Sequence, residues 1–557
     1  MDNLRFILVV TIGLIIWELD KYWEIEYGPH AITAVQQQAD QFDEDSVDKF
    51  ADLSGVSGGD LDADVVTDGR GLIDDERDLS PADKERQKVV VTTDVLRLEI
   101  DSSGTIVVLD MLDYPVKKDE PDIPLKLFEQ RKENWFIAQS GLRARTGEAP
   151  NHHSTYQFDR DTYELQAGEE ALRVPFKWTN GEGVEVVKAF VLRRGDYRIL
   201  LEQEVRNNSS TAWVGGQYEQ LQRSEAHSGD DSTFIRTYTG GVIYSEEGKY
   251  EKIDFDDMRD DDLSRDVVGG WTAMIQHYFL AAWIPPNEKN HFYTISLPEN
   301  RFVIGSYSAP VRVNPGSSHI FESVLYAGPK IQSIMEQTAE GLDLTVDYGV
   351  LTFLGKPIFW LLENFQGYVI NWGYAIMMVT LVIKGIFFPL SASSYRSMAK
   401  MRKLQPKLQA VKERYEDDKP RFNQEMMAMY KKEKVNPLGG CLPILVQIPV
   451  FISLYWVLME TVELRHAPFA FWIQDLSVKD PYYVLPLLMG FSMWIQQRLN
   501  PTPVDPVQAK IMKMFPIIFT VFFLFFPAGL VLYWVCNNTL AITQQSYITR
   551  KIERGEE

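Results

Sequence analysis

Apolar and polar positions alternate with different periods in different parts of this chain. Leu4 to Leu19 is one nearly uncharged apolar run, and long apolar runs return after Tyr348. Between them apolar residues recur every second position, the spacing that puts side chains on one face of a strand. Val95 to Ile100 and Thr105 to Leu109, joined by Asp101-Ser-Ser-Gly104, predict a hairpin. Ala171 to Trp178 and Val184 to Val191, around Asn180-Gly181, predict another, and Tyr197–Val205 and His291–Leu297 add further strands. No long helical pattern interrupts them before Ile331. Many short strands without alternating helices predict an antiparallel sandwich over residues 89–345.

After residue 346 the pattern becomes helical. Residues 350–365 form an apolar stripe with Lys356, Glu363 and Asn364 elsewhere, as in an interfacial amphipathic helix. Spans are predicted near 368–390, 442–460, 482–496, 511–526 and 528–548, the last two divided at Pro527-Ala-Gly529. Residues 1–20 supply a sixth. No small-x-small cleavage site follows that run, and Trp17, Tyr22 and Trp23 suit a membrane interface, which predicts an uncleaved signal anchor. The fold class is a multidomain membrane protein: an α-helical transmembrane bundle of six spans plus an all-β domain.

Charge sets the orientation. Ser391 to Asn436 carries 12 Lys/Arg, which predicts a cytoplasmic loop. With an inside N-terminus, the sandwich lies outside, the spans alternate, and the C-terminal tail falls inside. That loop, 391–436, is expected to form a helical hairpin, with Asp417-Asp-Lys-Pro420 as turn and helix stop. Its methionines, Met398, Met426 and Met427 among them, either make an adaptable docking side or pack the hairpin. Its cations include Lys400, Arg402 and Lys403. The net charge of −22 is uneven as well: Asp40 to Arg86 holds 16 Asp/Glu against 5 Lys/Arg. Residues 21–88 therefore read as a flexible acidic linker, either merely solvated or an acidic binding segment.

Candidate chemistry is sparse. Cys441 and Cys536 both lie in or beside apolar segments, which predicts small hydrophobes and no disulfide framework. His152, His153, His227, His277, His291 and His319 show no metal-ligand spacing and are expected on surfaces or loops; no nucleophile elbow or phosphate loop occurs. No catalytic residue, metal site or cofactor is expected.

Lys384 is the exception. It sits in an apolar span, where a cation costs on the order of 2.5–3.5 kcal/mol. It either faces a wet interior or snorkels, since Pro389 is only about five residues, roughly 8 Å, further on. Thr380 precedes it by one turn on the same face. Gln447 interrupts another span, and Asn537, Asn538, Thr539, Gln544 and Gln545 stud the last. Polar residues on several spans suggest one hydrated groove, in which a cation would attract acidic residues of a polar peptide segment.

Several motifs carry a resemblance. Pro389-Leu390, Ser397-Met-Ala-Lys-Met-Arg402, Gln405-Pro406, Asn436-Pro-Leu-Gly-Gly-Cys-Leu-Pro443 and Val462-Glu-Leu-Arg465 are followed by Ala467-Pro-Phe469 and Asp480-Pro-Tyr-Tyr483. Leu485-Pro-Leu-Leu-Met-Gly490 and Phe526-Pro-Ala-Gly-Leu-Val-Leu-Tyr-Trp534 complete the set. In this order they resemble the YidC/Oxa/Alb family of membrane protein insertases, in its Gram-negative YidC form. The middle domain, opening on Thr93-Asp-Val95, resembles the family's periplasmic β-supersandwich.

The resemblance implies an inner-membrane insertase and chaperone, with a hydrophilic groove that receives nascent hydrophobic segments without ATP. The implied partners are nascent membrane proteins, the Sec translocon, the ribosome and anionic lipid, with no sequence-specific nucleic acid. Lys384 stands at the family's groove-arginine position, keeping the charge but not the planar fork. Thr380 matches the groove threonine. Tyr533-Trp534 stands where relatives often carry Tyr-Tyr. The competing reading is a membrane-anchored periplasmic sandwich that binds or processes carbohydrate. A solute transporter is a third, without the paired repeat such folds show.

Overall fold

The computed structural model describes residues 86–225, 237–415, 418–433, 442–500 and 506–554. The expected anchor at 1–20, nearly all of the linker, His227 and Cys441 lie outside the described residues.

Residues 88–329 form two facing sheets of eleven and eight strands, antiparallel but for one parallel pair, Lys88–Thr92 with Thr162–Glu164. The first predicted hairpin pairs Leu96–Asp101 with Ile106–Pro115. Its tip folds for local reasons. Asp101 Oδ1 accepts from Ser103 N at 2.9 Å and Thr105 N at 3.1 Å, and Gly104 takes φ +72°, which suits a residue without Cβ. A Cβ at Gly104 would come within 2.9 Å of Lys188 Nζ. The second predicted hairpin pairs Ala171–Thr179 with Val184–Arg193. Trp213 and Trp283 are fully buried between the layers, and Trp283 Nε1 crosses to Gln220 O at 3.2 Å; Trp271 is fully buried on the other face of its sheet, where Nε1 donates to Glu340 O at 3.0 Å. Burial of each such side chain contributes on the order of 2–3 kcal/mol.

Of the five sandwich histidines that are described, His152 and His277 lie in loops, as expected, but are turned inward. His152 is buried against Tyr218, with Nδ1 at 2.5 Å from its hydroxyl. His277 Nε2 donates to Met459 O at 2.8 Å across the boundary between the domains. Burial holds this imidazole down at about 4, so it is neutral at pH 7 and donates from Nε2. Arg465 Nη2 donates to Pro115 O at 2.8 Å, and Lys118 Nζ to His466 O at 2.9 Å, across the same boundary.

The C-terminal region is helical: α1 (Thr352–Val369), α2 (Trp372–Ile386), α3 (Phe388–Arg414), α4 (Lys419–Lys432), α5 (Leu442–Glu460), α6 (Val484–Leu499), α7 (Pro506–Phe523) and α8 (Ala528–Glu553). The division at Pro527 is present, with Pro527 as the N-cap residue of α8. Two boundaries differ from expectation. The interfacial helix runs on to Val369 and stops at Ile370, which is left-handed at φ +52°. The run 368–390 is not one helix: α2 and α3 meet at Phe387 at an angle of 67°, with Pro389 in the first turn of α3, where its missing N–H costs nothing. Pro420 does more than follow the stop of α3 at Arg414: it also lies in the first turn of α4, which Asp418 caps by accepting from Arg421 N at 3.0 Å.

Among the described residues no single helix is long and apolar enough to cross a membrane; the bent pair α2–α3 meets that test together, and Leu445–Glu460 is a shorter apolar helix.

Candidate functional site: a polar cavity between four helices

Asn371 fixes the start of α2. Its Oδ1 accepts from Tyr374 N at 3.1 Å while its Nδ2 donates to Phe469 O at 2.9 Å. One face of α2 is then core (Ala375, Ile376, Val379 and Thr380 are fully buried), and Lys384 follows just before the bend.

Lys384 opens into a cavity of about 300 Å³, including the space at its mouth. The polar lining is Lys384, Ser391, Gln447 and Asn537; Ile383, Phe387, Leu390 and Val446 are the apolar wall. Gln447 Nε2 donates to Asn537 Oδ1 at 2.7 Å, tying α5 to α8 across the floor. Lys384 makes no hydrogen bond or ion pair with the described residues. Three of the six expected groove residues thus share one cavity.

The other three stand behind it. Thr380 Oγ1 bonds back to Ile376 O at 2.7 Å, the local bond by which a buried hydroxyl satisfies itself in a helix. Tyr533 is buried and stacks on Phe451 with ring centroids 6.3 Å apart. Trp534 meets Phe451 edge-on at 4.6 Å and Phe523 at 5.3 Å. Nor do all the polar residues of α8 face the cavity. Asn538 Nδ2 donates to Ser492 of α6 at 3.1 Å, and Gln545 Nε2 to Asn500 Oδ1 at 3.0 Å. Those amides join helices, as polar groups between apolar helices do.

Two features of the site, one in its lining and one beside it, were not read from sequence. Ser391 lies in α3, beyond the 67° bend from Lys384, so helical spacing along one continuous span could not have placed it. Cys536, expected as a small hydrophobe, lies beside Thr380 and Lys384.

In the hairpin, packing accounts for most of the methionines. Met398 packs with Tyr395, Ala399, Ile548 and Ile552, against α8. Met426 packs with Leu404 and Leu408 inside the hairpin, beside Met401 and Met429. Met427 is exposed. Lys400, Arg402 and Lys403 are exposed, and Lys403 Nζ reaches Ile552 O at 3.3 Å. Lys407 pairs with Glu433 at 2.9 Å and holds its carboxyl below the ordinary carboxylate range.

Residues 88–361 match the family model described as YidC periplasmic domain, and residues 364–555 the one described as 60Kd inner membrane protein. The membrane protein insertase YidC of Methylococcus capsulatus is 53% identical over 100% of this chain and 99% of its own length. That of Thioalkalivibrio sulfidiphilus is 48% identical, over 100% and 99%. The chain belongs to the YidC family of membrane protein insertases. A solved active YidC insertase, with its first transmembrane domain resolved, covers 82% of this chain and 92% of its own at 17% identity and a TM-score of 0.37. As a member of this family the chain is an inner-membrane protein with a periplasmic domain, and an insertase rather than an enzyme.

Proposed function

We propose that the cavity around Lys384 is the place where a nascent membrane protein first leaves water. The observation that carries this is a cation without a partner among the described residues, sharing a cavity with the Gln447–Asn537 pair amid apolar helices. Fixed amide dipoles and a lysine lower the cost of bringing a polar peptide segment to bilayer depth. The apolar wall lets the hydrophobic part of the segment pass toward lipid. The segment is bound and released, with no covalent step and no cofactor, alone or with the Sec translocon.

The finer topology is part of the same reading. Residues 1–20 and helices α2, α5, α6, α7 and α8 are taken as six spans, with both termini and the hairpin in the cytoplasm and the sandwich in the periplasm. Support comes from the apolar runs that these helices coincide with and from the 12 Lys/Arg of 391–436. Helix α6, of 16 residues, is about 24 Å long, less than a hydrocarbon core of about 30 Å, which fits a locally thinned bilayer. The exposed cations of the hairpin suit ribosomal RNA phosphates and anionic headgroups, without base readout.

Site-specific crosslinking of a stalled nascent chain tests this. Photoreactive residues at Ser391, Gln447 and Asn537 should capture it, while one at the outward-facing Ile517 should capture lipid-exposed segments only later in insertion. Equal early capture at Ile517 would overturn the groove reading.

A further inference from the structure

A second polar cluster lies far from the groove, between the two sheets of the sandwich. Glu219 is 1% exposed, and its Oε1 has no hydrogen-bond partner among the described residues. It stands in register with Ser306 on one neighbouring strand and Ser140 on the other, so the three side chains leave the sheet on one face. That face is the inner one. Gln217, two residues earlier, donates Nε2 to Glu322 O of the opposite sheet at 2.9 Å. From that sheet Gln203 donates Nε2 to Gly141 O at 3.4 Å.

Backbone carbonyls only accept, so both amides are fixed with nitrogen on the backbone and oxygen turned away. Gln203 Oε1 and Gln217 Oε1 are left without partners, as are the hydroxyls of Ser306 and of Ser323, the neighbour of Glu322. Five oxygens from five residues, none more than 3% exposed, therefore share one interior layer.

No basic side chain answers Glu219. Lys188 Nζ reaches this layer but donates to Gly104 O and Ser140 O, at 2.9 Å each. The two serine hydroxyls can donate within this set, but they bring no positive charge to Glu219. An oxygen-only set with one carboxylate is the chemistry hard cations take. One carboxylate neutralises one positive charge; a divalent ion would leave net charge buried.

We propose that the sandwich interior binds a monovalent alkali cation, sodium in class, through Glu219, Gln203, Gln217, Ser306 and Ser323. The site does not depend on the groove reading. It is tested on the full chain in lipid nanodiscs at pH 9 by hydrogen exchange of the strand Trp213–Ser224, in sodium chloride against choline chloride at equal ionic strength. Exchange should slow about tenfold when sodium is about tenfold above its Kd. Glu219→Gln, nearly isosteric, should remove the sodium effect, and Ser306→Ala should weaken it if Glu219→Gln fails to fold. Equal exchange in both salts, the result for a layer held by water alone, overturns the proposal. So does a sodium effect that survives both substitutions.

Discussion

Two lysines in this chain leave water and meet opposite fates. Lys188, in the sandwich, is fully buried, gives hydrogens to two backbone carbonyls at 2.9 Å, and lies beside the rings of Tyr156 and Phe190 at 5.6 and 5.5 Å. Lys384, in the bundle, is partly buried and faces a cavity with no partner among the described residues. A donor whose hydrogens go to backbone carbonyls is part of the fold. A donor left open beside a cavity remains free for something that arrives. The same side chain is tied into the fold in one region and left open in the other because of where its hydrogens go.

Exchanging the two roles is the most direct way to break this comparison. Lys384→Glu should cut insertion of substrates with acidic translocated segments tenfold or more, about 1.4 kcal/mol or above in the limiting step, while Lys384→Arg is tolerated. Normal insertion of every substrate by Lys384→Glu would sink the charge-attraction idea. Lys188→Met should do the reverse. It orphans two buried carbonyls, costs about 3 kcal/mol, and lowers the sandwich's melting temperature by roughly 10 °C, with insertion of small substrates little changed.

Titration sharpens the contrast further. Burial lowers the Lys188 ammonium to about 7, so between pH 7 and its ordinary value of 10.5 the unfolded chain holds a proton that the folded one has released. Stability should rise with pH across that window, by no more than about 1 kcal/mol per pH unit. Burial raises the Glu219 carboxyl to about 8, so its contribution runs the other way and fades as pH climbs from 4.5 through 8. Denaturant melts from pH 8 to 10.5 should therefore show a rising stability that Lys188→Met flattens. An unchanged slope in that variant would disprove the assignment.

Smaller effects are expected from the cavity floor. Gln447→Leu and Asn537→Leu should each reduce insertion a few-fold, and the double variant should do little more than either alone, since the two side chains share one bond. Additive losses in a double-mutant cycle would mean that they act separately. The smallest change should follow deletion of about residues 90–340. It removes the contacts of Lys118 and His277 with the helical region and of Arg465 with Pro115 but leaves the cavity whole, so small substrates should still be inserted. Complete loss would favour a sandwich-centred activity.

Sequence patterning reached most of the fold. Period-two alternation placed the hairpins at Leu96–Pro115 and Ala171–Arg193, and apolar runs placed α5 to α8 within a few residues. It left out the second role of two prolines. Pro420 and Pro389 both open helices, because the first turn tolerates a residue without N–H. In the site, the misplaced polarity of Lys384, Gln447 and Asn537 was legible. That Thr380, Tyr533 and Trp534 do not line the cavity was not, because burial depends on neighbours contributed by other helices, such as Phe451 of α5 and Phe523 of α7.

The sequence by itself therefore determined the layers, the helices and the residue types that do not belong in an apolar setting. These are local properties, written in spacing and hydropathy. Only the tertiary structure decided which of those residues meet. Asn537 and Asn538 are adjacent in the chain, yet one completes the cavity and the other bonds to α6, since successive positions on a helix point about 100° apart. Register across two sheets likewise gathered Glu219, Ser306 and Gln203 from distant strands into one layer. Which neighbours fill each direction is set by packing between elements, and no single segment encodes it.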